Sequence, residues 1–334
     1  MANLDKVIAQ ALVDHQINLM RFDAGERKKL LKKLVKLERQ LKAELLLFDL
    51  AKRGEVEQMI ASVGDVVASF YGEVSDDVFS STTGLWQVEQ LAVTGIINGA
   101  IGATMIKASQ GEFDGLMLGS PLKDWWREQA ADLAFKFGGM VRAGITNVKT
   151  NQVLAAELVG LIDAKRTTAK ALVSTGIASV TGAARDDLYQ SNSDLIGGYI
   201  HTSTLDFRTT NGCKVRDGKS WTLDKNPIGH DIPFAQTPLH VNCRSILRPK
   251  IKSWADLGID LPEISKDTRA TMDGQVSSEA TYEEWLKSKS EAQQNATLGH
   301  GKAKMWRDGK ITFNDMLDQT GRELTLEELR QIYK

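Results

Sequence analysis

The fold is decided between Thr204-Leu-Asp-Phe-Arg-Thr-Thr-Asn-Gly-Cys213 and Pro238-Leu-His-Val-Asn-Cys-Arg244. This stretch contains both cysteines of the chain, and His240 lies three residues before Cys243. Its interior is polar and rich in turn residues, so it buries too little apolar surface to hold itself together. A metal ion, a disulfide or a dense hydrogen-bond network must therefore organise it. The network would include Arg208, Asp217, His240 and Arg244.

Strand-forming residues flank this stretch. Tyr199, Ile200 and Thr202 are aromatic or β-branched and favour an extended backbone. We predict a small antiparallel sheet built from residues 198–206, 219–223 and 243–250. The polar stretch would then be a connection within that sheet.

The first half of the chain has a helical pattern, because apolar residues recur every three or four positions. The clearest series is Leu30, Leu34, Leu37, Leu41 and Leu45. The predicted helices span residues 2–22, 24–53, 55–70, 86–105, 120–142, 151–161 and 167–191. Breaks are predicted at Asp23-Ala-Gly25 and at 76–83, and Ser120 is the predicted N-cap of a helix that starts with Pro121. The fold class is therefore mainly α with a small antiparallel β-sheet, an α+β arrangement.

The helix predicted at 24–53 has strongly basic outer faces. A solvated surface is the ordinary interpretation of such a face, and contact with packaged DNA or an acidic protein is the functional one. The basic residues proposed to face a partner are Arg27, Lys28, Lys29, Lys32, Lys33 and Lys36.

Composition excludes several classes of protein. Two cysteines are too few for a disulfide-built secreted fold, and a formal net charge of −1 gives no global attraction to nucleic acid or anionic lipid. The N-terminal residues lack the pattern of a signal peptide, and no apolar run has the length of a membrane span. We therefore expect no membrane partner. Phosphate-loop, nucleophile-elbow and H-E-x-x-H motifs are absent from the sequence, so no enzyme is predicted.

Several motifs, taken in order, resemble those of phage Mu F-like minor head proteins. They are T-L-D-x-R-T at 204–209, the cysteine at 213, D-G-K at 217–219 and P-x-H-x-N-C-R at 238–244. The resemblance extends to H-x-I-x-L-x-R at 15–21, to 122–127, and to C-terminal pieces at 270–275, 282–286, 298–299, 307–310 and 324–330. It therefore covers nearly the whole chain.

The resemblance implies a virion structural protein of a tailed bacteriophage that acts in head morphogenesis. Its partners would be the portal protein and the major capsid protein, with packaged double-stranded DNA as a further contact. It would be oligomeric, in the capsid interior or at the portal vertex, and in the host cytoplasm during assembly. The alternatives are an internal protein ejected with DNA, a head–tail connector component and, in another class, a metal-dependent nuclease or processing enzyme.

The resemblance also suggests a zinc site, but this chain departs from the family pattern. Many members have two further cysteines, where this chain has Arg216 and Ser245. Cys213, His240 and Cys243 remain as candidate metal ligands, with His230, His201, Asp206 or Asp217 as a fourth. The alternatives are a Cys213–Cys243 disulfide and a metal-free loop. In the metal-free loop His240 and Arg244 organise the structure and Asp206 pairs with Arg208.

The sequence divides into three predicted segments. Residues 1–119 form an N-terminal helical region, 120–250 the Mu F-like module and 251–334 a C-terminal helical arm. In the arm, a short helix is predicted from Trp254 to Pro262, an irregular segment at 266–278, and short helical turns at 281–287, 299–306, 312–318 and 325–333. The arm has too few apolar residues for its own core, so Trp285 and Trp306 should anchor it on the preceding segment or on a partner.

Overall fold

The structure is a computed structural model that describes residues 4–48, 53–253, 268–271, 274–277 and 280–333. The predicted helix from Trp254 to Pro262 lies outside the described residues. In the described part the fold is mainly helical with small antiparallel sheets, which confirms the predicted fold class.

Four long helices account for most of the first half of the chain. They are α1 (Leu4–Leu47), α2 (Arg53–Ile101), α3 (Leu122–Thr146) and α4 (Asn151–Ser191). The shorter helices are α5 (Asn211–Arg216), α6 (Tyr282–Lys287), α7 (Glu291–Leu298), α8 (His300–Arg307) and α9 (Leu326–Ile332), with a 3₁₀ turn at Asn314–Met316. No helix among the described residues has both the length and the apolar character needed to cross a membrane.

The strands form three antiparallel sheets. A two-stranded sheet pairs β1 (Leu116–Met117) with β2 (Ser120–Pro121), and another pairs β7 (Thr268–Thr271) with β8 (Gly274–Ser277). The main sheet has the order β5-β4-β3-β6, formed by β3 (Ile196–Thr202), β4 (Ser220–Thr222), β5 (Pro227–Ile228) and β6 (Ile246–Ile251). The three predicted strands are confirmed, and β5 adds a fourth. The segment at 266–278 was predicted to be irregular, but its described residues form the β7–β8 hairpin, so that prediction is wrong.

The chain divides into two compact units. Unit one comprises Met1–Gln16, Gln87–Glu112 and Thr181–Lys334, and unit two comprises Ile17–Trp86 and Phe113–Val180. The three predicted segments follow the sequence, whereas each structural unit is assembled from separated stretches.

The predicted break at Asp23-Ala-Gly25 is wrong, because α1 continues through it. Asp23 does not cap a helix; it pairs with Arg27 at 2.9 Å and accepts a hydrogen bond from the Ser174 hydroxyl at 2.8 Å. A glycine inside a helix costs only about 1 kcal/mol, which burial of the neighbouring leucines offsets. The predicted apolar series of α1 is buried throughout. Its members are Leu30, Leu34, Leu37, Leu41 and Leu45.

The predicted break at 76–83 is also wrong, because α2 is continuous there. Thr82 and Thr83 donate their hydroxyls to carbonyls one turn back, at Val78 and Phe79, each at 2.9 Å. This bonding satisfies hydroxyl groups of residues that favour turns in isolation.

The helices predicted at 151–161 and 167–191 are likewise joined, because they form the single helix α4. Ser120 does not cap α3, because Ser120 and Pro121 form β2 instead and Pro121 is the N-cap residue.

The described residues of unit one include two hydrophobic clusters. One joins the sheet to helix segments through residues such as Ile97, Tyr189 and Tyr199. The other joins the sheet to the C-terminal arm through Trp221 and a set of arm residues that includes Trp285 and Trp306. The arm therefore shares a core with the preceding module, as predicted. Capping boxes begin two helices of the arm: Thr281 with Glu284 on α6 and Thr325 with Glu328 on α9.

A buried ionic network also lies in unit one. Both oxygens of the fully buried Glu89 carboxylate are engaged: Arg185 donates from Nε at 2.5 Å, and His15 Nε2 lies 2.6 Å away. Burial alone raises the pKa of Glu89. The charge of Arg185 and the hydrogen bond of His15 more than offset this effect and hold that pKa below its usual value.

Candidate metal centre

Cys213, His240 and Cys243 come together in unit one, at the turn-rich connection between β3 and β6. Their ligand atoms all lie within 4.8 Å of one another. The Cys213 and Cys243 sulfurs are 3.8 Å apart, and the Cys213 sulfur is 3.5 Å from His240 Nε2. In the part of the chain that the structure describes, this is the group of His, Cys and acidic side chains that could hold a metal ion.

Local structure explains how the three side chains meet. Cys213 is the third residue of α5 and is buried. His240 and Cys243 belong to a tight turn in which the Cys243 backbone N–H donates to the His240 carbonyl at 3.1 Å. Asn242 takes the left-handed conformation that this turn needs, with φ 61°, and asparagine tolerates that conformation better than most residues. The turn therefore directs both side chains towards α5.

The observed spacing matches that of a tetrahedral zinc site. Zinc binds sulfur at about 2.3 Å and imidazole nitrogen at about 2.0–2.1 Å. In a tetrahedron these bond lengths place two sulfurs about 3.8 Å apart, and a sulfur and a nitrogen about 3.6 Å apart. The separations of 3.8 Å and 3.5 Å agree with these values. These two separations are compatible with a zinc ion bound by the three side chains.

The imidazole of His240 also has the tautomer that metal binding requires. Nδ1 lies 2.9 Å from the Val241 carbonyl oxygen. A carbonyl can only accept, so Nδ1 carries a proton and Nε2 is left as the ring nitrogen that would bind a metal ion. A hydrogen bond from the second ring nitrogen to a carbonyl orients the imidazole in metal sites.

The two sulfurs are not equivalent without a metal. The hydrogen bond between the two sulfurs lowers the pKa of Cys243, and burial opposes this effect. His240 and the backbone N–H groups of Leu239 and Ser245 lower that pKa further. The hydrogen bond between the two sulfurs, together with burial, raises the pKa of Cys213. Both cysteines are free. Their separation of 3.8 Å is far longer than the roughly 2.05 Å of a disulfide. The geometry therefore favours a metal site over the disulfide alternative.

The predicted loop residues surround this trio in two clusters. Arg244 donates through both terminal nitrogens to the carboxylate of Asp206, with Nη2 at 2.8 Å from Oδ1. Burial raises the pKa of Asp206, but the hydrogen bonds and charge of Arg244 lower it below its usual value. Arg208 is exposed and gives Asp206 only its backbone N–H, at 2.9 Å. The predicted Asp206–Arg208 ion pair is therefore wrong, because Arg244 takes that place.

Asp217 joins the module to the C-terminal arm. Its Oδ1 accepts the Ser203 backbone N–H, and its Oδ2 accepts the Tyr282 backbone N–H, each at 2.7 Å. The Tyr282 hydroxyl in turn donates to the Asp206 carbonyl at 2.8 Å. The D-G-K motif therefore contributes a structural carboxylate, and Asp217 does not belong to the group that could hold a metal ion.

The sequence did not predict that Thr210 and Ser245 lie at the centre. Thr210, the N-cap residue of α5, places its hydroxyl 2.9 Å from His240 Nε2. Ser245, near where many members of the resembled family have a cysteine, donates to the Ser203 hydroxyl at 3.2 Å. The position of Thr210 immediately before α5 was the available signal.

The predicted basic helix lies in α1, in unit two, and divides into two groups. Arg27, Lys29 and Lys33 pair with Asp23, Glu26 and Asp77 respectively. Lys28, Lys32 and Lys36 are exposed, and they form no ion pair with any residue that the structure describes. Their spacing of four places them along one helix face. Only this second group is available to a partner without breaking an existing contact.

Comparison with known proteins identifies no relative. No protein-family model matches the chain, and no curated protein or solved structure matches it. The likeness to Mu F-like proteins therefore rests on the sequence motifs alone.

Proposed function

We propose that this chain is a minor head protein of a tailed bacteriophage. One observation carries the proposal: motif pieces spread over many residues fold around one centre. T-L-D-x-R-T supplies Asp206, and P-x-H-x-N-C-R supplies its partner Arg244 together with His240 and Cys243. D-G-K supplies Asp217, which binds the C-terminal element at Tyr282. This convergence supports the interpretation of the ordered motifs as one assembly module.

In this proposal the module has a structural role and catalyses no reaction. A zinc ion bound by Cys213, His240 and Cys243 would cross-link α5 to the turn before β6. Such a link would stabilise a region whose own residues are mostly polar. The zinc ion would supply folding energy, and the helical surfaces would make the contacts with the portal and the major capsid protein.

Elemental analysis of the full-length chain tests the metal. We expect one equivalent of zinc, and a loss of that zinc in Cys243→Ser and in His240→Ala. His230→Ala is a matched control, because His230 Nε2 is 2.8 Å from the Ser220 carbonyl and outside the centre. Zinc-free protein after purification in zinc-containing buffer would contradict this part of the proposal.

Location in the virion tests the biological role. We expect mass spectrometry of purified phage to detect the chain at far fewer copies than the major capsid protein, and a nonsense mutation in its gene to yield defective heads. Absence from both virions and assembling heads would refute the proposal. Cleavage of supercoiled DNA with a divalent metal, abolished in His240→Ala, would instead establish the nuclease alternative.

The exposed face of α1 is the proposed DNA contact. Replacing Lys28, Lys32 and Lys36 by glutamine should weaken binding to double-stranded DNA and reduce the salt dependence of that binding. The control is Lys29→Gln with Lys33→Gln, because those lysines already pair with Glu26 and Asp77. Equal effects of the two variants on DNA binding would contradict a role for this face. Binding to the portal protein but not to DNA would instead indicate that the face contacts an acidic protein.

A further inference from the structure

The candidate metal centre is closed on one side and open on the other. The two cysteines are buried, whereas His240 is half-buried and Thr210, Val241 and Asn242 are exposed. The sulfurs therefore form the inner wall, and the imidazole lies at the rim. A metal ion bound by all three side chains would have its remaining coordination position on the solvent side.

No fourth ligand from the described residues fills that position. The group contains only three side chains of the metal-binding types. Of the predicted fourth ligands, Asp206 is bound to Arg244, Asp217 accepts two backbone N–H groups, and His230 contacts Ser220. His201 lies inside β3 and is fully buried. Three protein ligands leave zinc one position for an exogenous ligand.

Thr210 marks where that position lies. As the N-cap residue of α5 it would ordinarily accept a backbone N–H of the first turn, yet its side chain makes no capping bond. The hydroxyl instead lies 2.9 Å from His240 Nε2. A fourth ligand on a tetrahedral zinc would lie roughly 3.3 Å from the same nitrogen. The hydroxyl, close to that nitrogen on the exposed side of the centre, is therefore placed to hydrogen-bond with that ligand.

The local charges favour a negatively charged ligand. Two thiolates would neutralise the charge of a divalent metal ion. The electrostatic potential at the site would then depend on the nearby arginines. Arg244 interacts electrostatically with both sulfurs, although Asp206 balances its charge. Arg216 is buried, interacts with the Cys213 sulfur, and donates to the Gly212 carbonyl at 3.1 Å. Within the described residues it has no carboxylate partner, so its charge remains uncompensated.

We propose that a metal ion in this centre has an open fourth position beside Thr210, which holds an exchangeable water molecule that small anionic donors displace. The proposal rests on the metal binding put forward above. It adds that the centre can accept a donor from outside the chain, although its first three ligands belong to a structural module.

Cobalt substitution tests the two statements separately. The full-length chain is loaded with Co²⁺, which takes the tetrahedral geometry of zinc, and is titrated with sodium azide. Thiolate-to-cobalt charge-transfer absorption at one equivalent reports metal binding. A saturable change of the cobalt d–d bands with azide reports the open position. Charge transfer without any azide response would overturn this inference while leaving the metal site intact, and absence of charge transfer would overturn both.

Two variants at position 210 test the placement. Thr210→Val should keep the cobalt stoichiometry but weaken azide binding about tenfold, because a hydrogen bond to a charged ligand is lost. Thr210→Ser retains the hydroxyl and should bind azide as the unchanged chain does. An unchanged azide affinity in Thr210→Val would overturn the placement beside Thr210.

Discussion

Replacing Glu89 by glutamine should destabilise unit one strongly. The change removes the negative charge and leaves the guanidinium of Arg185 buried without a counter-charge. The Glu89 and Arg185 side chains are 0% and 3% exposed, so water cannot replace the lost partner. Removing one partner of a buried ion pair costs about 3–5 kcal/mol. Glutamine still accepts one hydrogen bond, so we expect the lower end, about 3 kcal/mol.

Urea unfolding followed by circular dichroism measures this loss. With a denaturant slope of about 1–3 kcal/mol per molar, the midpoint should fall by roughly 1–3 M. The control is Glu57→Gln, because Glu57 in unit two also pairs with an arginine, Arg142, but these side chains are 63% and 54% exposed. An exposed pair is worth no more than about 1 kcal/mol. Equal losses in the two variants would refute the reasoning.

The double variant Glu89→Leu with Arg185→Met replaces both members of the ion pair. Replacing both charges by apolar groups avoids the unpaired ion, so its stability should lie within about 1 kcal/mol of the original. A double variant as unstable as Glu89→Gln would mean that lost packing, and not the unpaired charge, causes the effect.

The same network predicts a dependence on pH. The folded-state pKa of Glu89 is lowered, because Arg185 and His15 outweigh burial. Its stabilising contribution is therefore present above the unfolded pKa, near 4.5, and is lost as the pH falls through the lower folded value. The stability difference between the original chain and Glu89→Gln should shrink below about pH 4.5. A difference that grows on acidification would contradict this sign.

Three further substitutions test local features of the strands and helices. Gly198→Ala should disrupt the β3–β4 pairing, because the new Cβ would lie 2.0 Å from the Trp221 carbonyl oxygen; an unchanged urea midpoint would contradict this. Gly160→Ala, exposed in α4 with no atom within 4 Å of the new Cβ, should raise the free energy of unfolding by up to about 1 kcal/mol; a loss would show that the space is occupied. Thr325→Ala removes the α9 cap that accepts the Glu328 N–H and should cost about 1 kcal/mol, measurable by faster amide exchange in α9.

The helices illustrate how far local signals reach. The apolar spacing of α1 and the capping boxes of α6 and α9 were predictable, because each depends on residues within a turn or two. The breaks at 23–25 and 76–83 were predicted wrongly for the same reason. A local breaker costs about 1 kcal/mol, and it is overridden where the helix buries neighbours such as Leu30 or Val78.

In the candidate metal centre, too, local features were predictable and long-range contacts were not. Cys213, His240 and Cys243 were predicted as a group from residue type and order. The partner of Asp206 was not, since Arg208 is close in sequence but exposed, whereas Arg244 is brought near by the pairing of β3 with β6. The role of Thr210 likewise depends on a contact with His240, thirty residues further along the chain.

The sequence by itself determined the fold class, the three side chains that could hold a metal ion and the buried face of α1, because residue type and short-range spacing carry that information. Only the tertiary structure decided which basic residues of α1 are already paired, which arginine binds Asp206, and which side of the centre is open. These depend on separations and burial between residues far apart in the chain, and a pattern read along the sequence does not contain them.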